Sequence, residues 1–294
     1  MEGVMMRAPH SYYLAVRRPS GELATEQMPV QRPSEKYRIL GYPVFRGIGT
    51  LAQSLYLGIR ALRFSANAAL EQEGGEDQKQ QEISPWLMGV NLAVSLGFFI
   101  LLYKLLPLSL TTWLGGRLPL LQGHIAFNLT DGLIRILIFL AFLYGVSRWK
   151  DIRRVFEYHG AEHKAVFNFE SGRPLSVDNA RQFSTLHPRC GTSFLLVVMV
   201  IAIGVYALIP FESFLMKFLL RVALLPLIAG LSYEVIRFAA THRGSLLAVM
   251  ARPGLWLQRI TTQPPDDSQL AVALHALEGA MALEHAQGGE LVVA

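Results

Sequence analysis

The sequence predicts a mainly α-helical, polytopic membrane protein with four transmembrane helices, a small N-terminal β-hairpin and helical segments on the cytoplasmic side. The 294 residues are 52% hydrophobic, with a mean hydropathy of +0.33. That value is high for a soluble globular protein and low for a bundle made only of membrane spans. Four apolar stretches approach the ~20 residues that a span needs, and segments with strand, turn and helix patterns flank them.

Residues 1–42 are predicted to form a cytoplasmic β-hairpin segment. Two β-prone runs within residues 11–30 flank the turn-forming sequence Pro19-Ser20-Gly21-Glu22. Residues 43–84 are predicted to form an amphipathic helix and a linker. Apolar residues recur at helical spacing from Phe45 to Leu62, so this helix either lies on the inner membrane surface or packs against the soluble part. Residues 71–81 are acidic and Gln-rich, which predicts a mobile linker.

The four predicted spans cover residues 85–108, 125–147, 193–210 and 214–238. The third stretch is the shortest, so its ends are the least defined. A helical bundle in a soluble protein is disfavoured, because residues 98–102 and 195–203 have almost none of the polar face that such a bundle needs.

Basic residues predict the orientation of these spans. Lysines and arginines concentrate before the first span, in residues 148–192 and in the tail (239–294), whereas the two remaining loops carry only Arg117. Since cytoplasmic loops carry the excess of positive charge, both termini and residues 148–192 are predicted to be cytoplasmic. The net charge of +5 is attributed to loops that face anionic lipid. No basic run with interleaved aromatic residues indicates nucleic acid as a partner.

Residues 148–192 form a His-rich segment with a candidate metal site. His159, Glu162 and His163 read His-x-x-Glu-His. On a helix, histidines four residues apart project from one face and can bind one metal ion. Inverted zinc peptidases have the same spacing, with the glutamate as general base. Gly160 weakens the helix prediction, because glycine costs ~1 kcal/mol relative to alanine inside a helix.

A third metal ligand must come from another part of the chain. His187 and Cys190 share one turn, and Glu234 lies near the cytoplasmic end of span four, where a carboxylate is costly unless it is paired or ligating. Cys190 is the only cysteine, so no internal disulfide forms. Considered alone, it is interpreted as a packed residue rather than a nucleophile. The alternative to a metal site is a hydrogen-bonded polar platform whose arginines contact lipid phosphates.

A second polar cluster is predicted inside the membrane. Asn128, Asp131 and Arg135 share one face of span two, and Arg221 on span four lies at a similar depth and could share Asp131. Charges at that depth are costly unless they are paired. The cluster is either a polar path or substrate pocket, or an interhelical clasp between spans two and four, and the clasp is favoured.

The tail contains a predicted amphipathic helix. It begins at an Asp or Ser N-cap after a proline break at residues 264–265, and Leu270, Leu274, Leu277 and Met281 give it an apolar stripe. Docking against the soluble part of the same protein is favoured over a separate partner.

The chain resembles the bacterial YqhQ-like membrane proteins, the family called domain of unknown function 1385. The resemblance covers nearly the whole chain and rests on four motifs in order, which are Met1-Glu-Gly-Val-Met-Met-Arg7, Glu157-Tyr-His-Gly-Ala-Glu-His-Lys164, Leu186-His-Pro-Arg-Cys-Gly-Thr-Ser-Phe194 and Pro265-Asp-Asp-Ser-Gln269. It implies an uncharacterised protein of the bacterial cytoplasmic (inner) membrane, and members are sometimes described as predicted metal-dependent enzymes. Members also carry a Gly-Gly-Gln-Ala-type stretch before the first motif, which indicates a native start upstream of Met1.

Two functions are expected at nearly equal odds. The first is a metal-dependent hydrolase that uses a divalent metal such as zinc at the cytoplasmic membrane face, with Glu162 as catalytic base. The second is a non-enzymatic membrane scaffold that binds a cytoplasmic protein partner and holds at most a structural metal. A transporter is the weakest alternative, because four spans are few for one protomer, although a homo-oligomer could enclose a path.

Overall fold

The computed structural model describes residues 2–70, 85–121, 123–188, 190–209, 213–242 and 246–289, and this part of the chain is mainly helical. Met1, Arg189 and the predicted linker at residues 71–81 lie outside the described residues. The elements are β1 (Gly3–Arg7), β2 (Ser11–Arg17), β3 (Leu23–Pro29), α1 (Pro33–Lys36), α2 (Phe45–Leu70), α3 (Pro85–Ile100), α4 (Leu106–Gly115), α5 (His124–Val146), α6 (Lys150–Glu170), α7 (Val177–Arg181), α8 (Gly191–Ala207), α9 (Phe214–Ala223), α10 (Leu225–Thr241), α11 (Leu246–Thr261) and α12 (Asp267–Ala286).

The N-terminal strands form an antiparallel sheet in the order β1-β2-β3. The predicted hairpin corresponds to β2 and β3, with Tyr13 paired to Gln27. Gly21 takes a positive φ of 91° in the connecting turn, a conformation that glycine adopts without steric cost. The sequence analysis missed β1, which pairs with β2 so that Val4 lies opposite Ala15. The segment is therefore a three-stranded sheet rather than a hairpin alone.

Both faces of this sheet are covered by helices. Val4, Met6 and Ala15 pack in one buried cluster with residues of α6 and α12. Tyr12 and Leu14 point to the opposite face and pack with residues of α2. This alternation follows from the two-residue period of a strand. Of the two positions expected for the amphipathic helix α2, the structure has it packed against the sheet, and it also contacts α10.

The C-terminal helix α12 begins as the sequence predicts. Asp266 is the N-cap, and its carboxylate accepts a hydrogen bond from the Gln269 amide at 2.8 Å while the Gln269 side chain caps Asp266 in return. The apolar stripe of α12 is buried against the sheet and α6, and it consists of Leu270, Leu274, Leu277 and Met281. The helix thus docks on its own chain.

Within the residues that the structure describes, two helices are long and apolar enough to cross a membrane. One runs through Gly89–Gly115 and contains a π-helical turn at Leu101–Leu105, and the other is α5. A third span is possible if α9 and α10 are counted as one, although they are bent by 50° where they meet. Pro226 lies at the start of α10, and proline breaks helices because it lacks the amide N–H. The remaining predicted span corresponds to α8, which has 17 residues and is shorter than the other two.

The apolar helices meet the sheet-containing part at α2, which contacts α10, and at α6. The helix α5 ends at Val146 and α6 begins at Lys150, so the His-bearing segment is a separate helix. The helix α8 packs against α5, α10 and α11. The N-terminus of α8 and the C-terminus of α11 both reach α6, and this junction contains the candidate site.

Candidate metal centre

Two histidines lie on successive turns of α6. His159 and His163 have ring centroids 4.5 Å apart, as expected for residues four apart on one helix face. His163 is buried and His159 is half-buried. The His-x-x-Glu-His motif therefore points its two imidazoles to one place at the junction.

Cys190 brings a sulfur to the same place from a different element. It is the N-cap residue of α8, where its Sγ accepts a hydrogen bond from the amide of Thr192 at 3.4 Å. The distance from Cys190 Sγ to His159 Nε2 is 3.2 Å. Cys190 therefore adds a sulfur atom to the two imidazoles as a candidate ligand.

Backbone carbonyls orient both imidazoles. Nδ1 of His159 lies 2.8 Å from the carbonyl oxygen of Thr261, and Nδ1 of His163 lies 2.5 Å from that of Thr185. Because a carbonyl oxygen only accepts, each Nδ1 is the donor and each Nε2 keeps its lone pair. The ligand atoms of the two histidines and Cys190 all lie within 4.8 Å of one another.

Gly160 is explained by the close approach of a second chain segment. A β-carbon at this position would lie 2.1 Å from the carbonyl oxygen of Gln263. The amide of Gln263 in turn donates to the carbonyl of Phe156 on α6 at 2.9 Å. The helix continues through Gly160, and its lack of a side chain lets the segment after α11, which begins next to Thr261, contact α6.

Glu162 lies between the two histidines in sequence and is half-buried. Burial raises the pKa of its carboxyl group, and the neighbouring His159 opposes that shift. Within the described residues its carboxyl group forms no hydrogen bond. Glu162 is therefore a carboxyl group with a raised pKa near His159.

The other two candidates for a third ligand lie outside this group of atoms. His187 is buried with its ring against Phe167, and its Nε2 is 3.5 Å from a carboxylate oxygen of Glu170. Its ring centroid is 5.6 Å from that of His163, so it adjoins the group. Glu234 forms an ion pair with Arg46 of α2 and accepts a hydrogen bond from a backbone amide, which satisfies this carboxylate.

The predicted intramembrane residues also come together. Asp131 accepts hydrogen bonds from Arg135 at 2.5 Å and from Arg221 at 2.7 Å, and Asn128 accepts a further one from Arg221 at 3.1 Å. All four are buried, so the shared carboxylate links α5 to α9. This is the contact that a clasp requires.

Several residues of both clusters were missed by the sequence analysis. The carbonyls of Thr185 and Thr261 have no sequence signal, because any residue supplies a carbonyl. Gln258 is fully buried on α11 and exchanges two hydrogen bonds with the backbone of His187. Lys104 lies in the helix Gly89–Gly115 and donates a hydrogen bond to the hydroxyl of Tyr206 on α8 at 2.8 Å. A lysine within an apolar run was a usable signal, since a charge there is costly.

Comparison with known proteins places the chain in a family without assigning an activity. The family model described as "Protein of unknown function (DUF1385)" matches residues 42–283. "Uncharacterized protein YqhQ" of Bacillus subtilis (strain 168) is 32% identical over 292 residues, covering 97% of this chain and 91% of that protein. No solved structure matches the chain.

Proposed function

This chain belongs to the family described as Protein of unknown function (DUF1385), and we propose that it is an integral membrane protein with a metal-dependent hydrolase site at the cytoplasmic membrane face. One observation carries the proposal, the convergence of ligand atoms from His159, His163 and Cys190 within 4.8 Å of one another. Both histidines have their second nitrogen bonded to a backbone carbonyl. This is the usual outer contact of a metal-ligating histidine, because it fixes the tautomer and the ring orientation.

The spacing of these three atoms suits a divalent metal such as zinc. Zn–N and Zn–S bonds at tetrahedral angles place neighbouring ligand atoms about 3.3–3.6 Å apart. The 3.2 Å distance between His159 Nε2 and Cys190 Sγ is close to that range, and the other pairs need only small side-chain rotations. Imidazole and thiolate are preferred zinc ligands. Three protein ligands leave one position for water, which is the composition of catalytic zinc sites.

Glu162 is the residue that would hold and move a proton. A metal ion at this site would supply Lewis acidity and lower the pKa of a bound water. Glu162 has free carboxyl oxygens among the described residues, and burial raises its pKa toward the range in which a group can both accept and return a proton. The carbonyl of Thr261 would meanwhile hold His159 in place.

The membrane part of the proposal is a four-span topology with both termini in the cytoplasm. The helix Gly89–Gly115 and α5 would be two of these spans and the bent pair α9–α10 a third, because their length and apolar composition suit a membrane crossing. The helix α8 would be the fourth, because its 17 residues extend about 26 Å, against a hydrocarbon core of ~30 Å. Exposed basic residues on α6 support a cytoplasmic position for the site, since cytoplasmic segments carry the excess of positive charge.

The test is elemental mass spectrometry of detergent-purified protein. We expect about one transition metal per chain in the wild type, lost in His159→Ala and Cys190→Ser. The metal should remain in Glu162→Gln and His187→Ala, because these residues lie outside the group of ligand atoms. His275→Ala is the matched control, since this exposed histidine lies on α12 and contacts Tyr13. A folded preparation that takes up no metal after addition of zinc, iron or manganese would overturn the proposal.

Activity then separates a hydrolase from a structural metal centre. Metal-loaded wild type and Glu162→Gln are compared on a panel of ester, amide and phosphoester substrates. Loss of turnover in Glu162→Gln, with metal content and melting temperature unchanged, supports the role as base. If the metal is structural, Glu162→Gln behaves as wild type and His159→Ala melts at a lower temperature.

A second candidate function, thiol-dependent hydrolysis, is favoured by one distance. Cys190 Sγ lies 3.2 Å from His159 Nε2 at a helix N-terminus, an arrangement that can activate a cysteine nucleophile. Because Cys190 is the only cysteine, its alkylation by iodoacetamide is simple to follow by intact mass. Metal ligation predicts that added zinc slows alkylation strongly, whereas a free thiol nucleophile would react at the same rate with or without metal.

A further inference from the structure

Positive charge exceeds negative charge in the buried cluster between the apolar helices. Arg135, Arg221 and Lys104 are 3%, 2% and 8% exposed, respectively. Within the described part of the chain, the carboxylate in this cluster is Asp131, which bonds to both arginines, whereas Lys104 hydrogen-bonds to the hydroxyl of Tyr206. One carboxylate neutralises one of the three cations, so the cluster holds uncompensated positive charge where water is scarce. Buried charges of this kind are normally paired.

The three cations surround one aromatic ring. The charged groups of Lys104, Arg135 and Arg221 lie 5.1, 5.1 and 5.0 Å from the ring centroid of Tyr206. Any two of them are therefore at most about 10 Å apart, a distance at which like charges repel strongly in an interior of low dielectric. The negative face of the ring attracts each cation, but it carries no net charge and leaves the excess in place.

Two buried donors, one on α5 and one on the helix Gly89–Gly115, have no acceptor among the described residues. Nη1 of Arg135 and the hydroxyl of Tyr103 are buried and form no hydrogen bond to any residue that the structure describes. Arg135 Nε donates to the backbone carbonyl of Tyr103 at 3.1 Å, whereas the Tyr103 ring packs against Phe99, Phe139 and Phe142. A buried donor without an acceptor is costly, so the unpaired Nη1 of Arg135 next to excess positive charge indicates a missing acceptor that is negative.

The backbone is irregular at that point as well. Tyr103 and Lys104 lie in the π-helical turn Leu101–Leu105, which interrupts the long helix Gly89–Gly115. π-Helical turns inside α-helices occur frequently at functional sites. Here the turn brings a lysine and a backbone carbonyl to the cluster. A clasp between α5 and α9 requires only Asp131 and Arg221, so it does not account for these groups.

We propose that Arg135 and Lys104 form a binding site for a small inorganic anion of halide size between the apolar helices. The anion compensates the excess charge and accepts a hydrogen bond from Arg135 Nη1. The anion is small, because Arg221 is already hydrogen-bonded to Asp131 and Asn128, and Lys104 to Tyr206. It is separate from the metal centre and does not depend on the proposed hydrolase.

The experiment measures chloride binding to the full-length, detergent-purified protein. Equilibrium dialysis with radiolabelled chloride is carried out at constant ionic strength, with gluconate as the replacing anion. We expect saturable binding of about one chloride per chain and a higher melting temperature in chloride than in gluconate. Bromide and nitrate should compete for the site, and gluconate should not, because it is too large.

Variants locate the site. Lys104→Met removes one excess charge without removing volume, and it should abolish saturable binding. Arg117→Gln is the control, because this exposed arginine stacks on Trp113 outside the cluster. The proposal is overturned if the folded wild type shows no saturable binding of any of the three anions, or if Lys104→Met binds chloride as the wild type does.

Discussion

Replacing Gly160 with alanine tests whether the junction between α6 and the segment after α11 is as close as the structure has it. A β-carbon at position 160 would lie 2.1 Å from the carbonyl oxygen of Gln263 and 3.3 Å from Cγ2 of Thr185. Non-bonded carbon and oxygen atoms approach to ~3.3 Å. The two backbones would therefore have to separate by about 1 Å, against the hydrogen bond that joins Gln263 to Phe156.

The expected loss of stability follows from two opposing terms. Overpacking of a well-packed site costs ~1–3 kcal/mol, and a clash with backbone lies at the upper end because no side-chain rotation relieves it. Alanine recovers ~1 kcal/mol through its better helix propensity. The net change in the free energy of unfolding is about 2 kcal/mol, a fall in melting temperature of roughly 4–8 °C.

Thermal unfolding followed by tryptophan fluorescence measures this difference in detergent-purified protein. Gly58→Ala in α2 is the matched control, since no atom lies within 4 Å of a β-carbon built there. It should be as stable as wild type or more stable by up to ~1 kcal/mol. If Gly160→Ala melts at or above the temperature of Gly58→Ala, the close packing of α6 on Gln263 is refuted.

Two further predictions concern the sheet-containing part. The imidazole of His10 lies 3.1 Å from Glu35 and 3.0 Å from Glu284, and these carboxylates raise the pKa of His10 above its ordinary value of 6.5. Its charged form therefore contributes stability that is complete below pH 6.5 and is lost as the pH rises through the raised pKa. In the wild type, the melting temperature should therefore fall as the pH rises through the raised pKa of His10, and His10→Asn should lack this contribution to the fall. Equal profiles of melting temperature against pH for the two proteins would contradict the reasoning. Asp266→Ala removes the N-cap of α12 and should lower the free energy of unfolding by about 1 kcal/mol in the same thermal assay. Asp266→Asn can still cap the helix and should melt near the wild-type temperature. Equal melting temperatures of the two variants would argue against the cap.

The parts of the fold that the sequence predicts well are those specified by neighbouring residues. The turn at Gly21 and the capping box of Asp266 and Gln269 are local signals, and both appear in the structure. The apolar stretches likewise predict helices, but the number of spans depends on where a helix breaks. Pro226 was visible in the sequence, and its effect on the fourth predicted span is the 50° bend between α9 and α10.

For the candidate site, the sequence predicts only the two ligands that lie close together in the chain. The spacing of His159 and His163 places them on one helix face, because the helix repeat alone decides that. Which of His187, Cys190 and Glu234 would join them depends on how α8 and α10 pack, and no local pattern carries that information. Gly160 likewise depends on a contact that is distant in the sequence. The sequence gives it a cost in helix propensity, and only the position of Gln263 supplies the compensating contact.

The two polar clusters lie at opposite ends of one helix, which decides how their variants should combine. Cys190 caps the N-terminus of α8, and Tyr206 lies sixteen residues later, about 24 Å along the helix axis. One small ligand cannot bridge that distance. Substitutions this far apart normally change stability independently, so Lys104→Met should leave the metal content unchanged, and Cys190→Ser should leave chloride binding unchanged. If Lys104→Met instead lost the metal while remaining folded, the substitution would have to displace α8 along its whole length. The two clusters would then be coupled rather than independent.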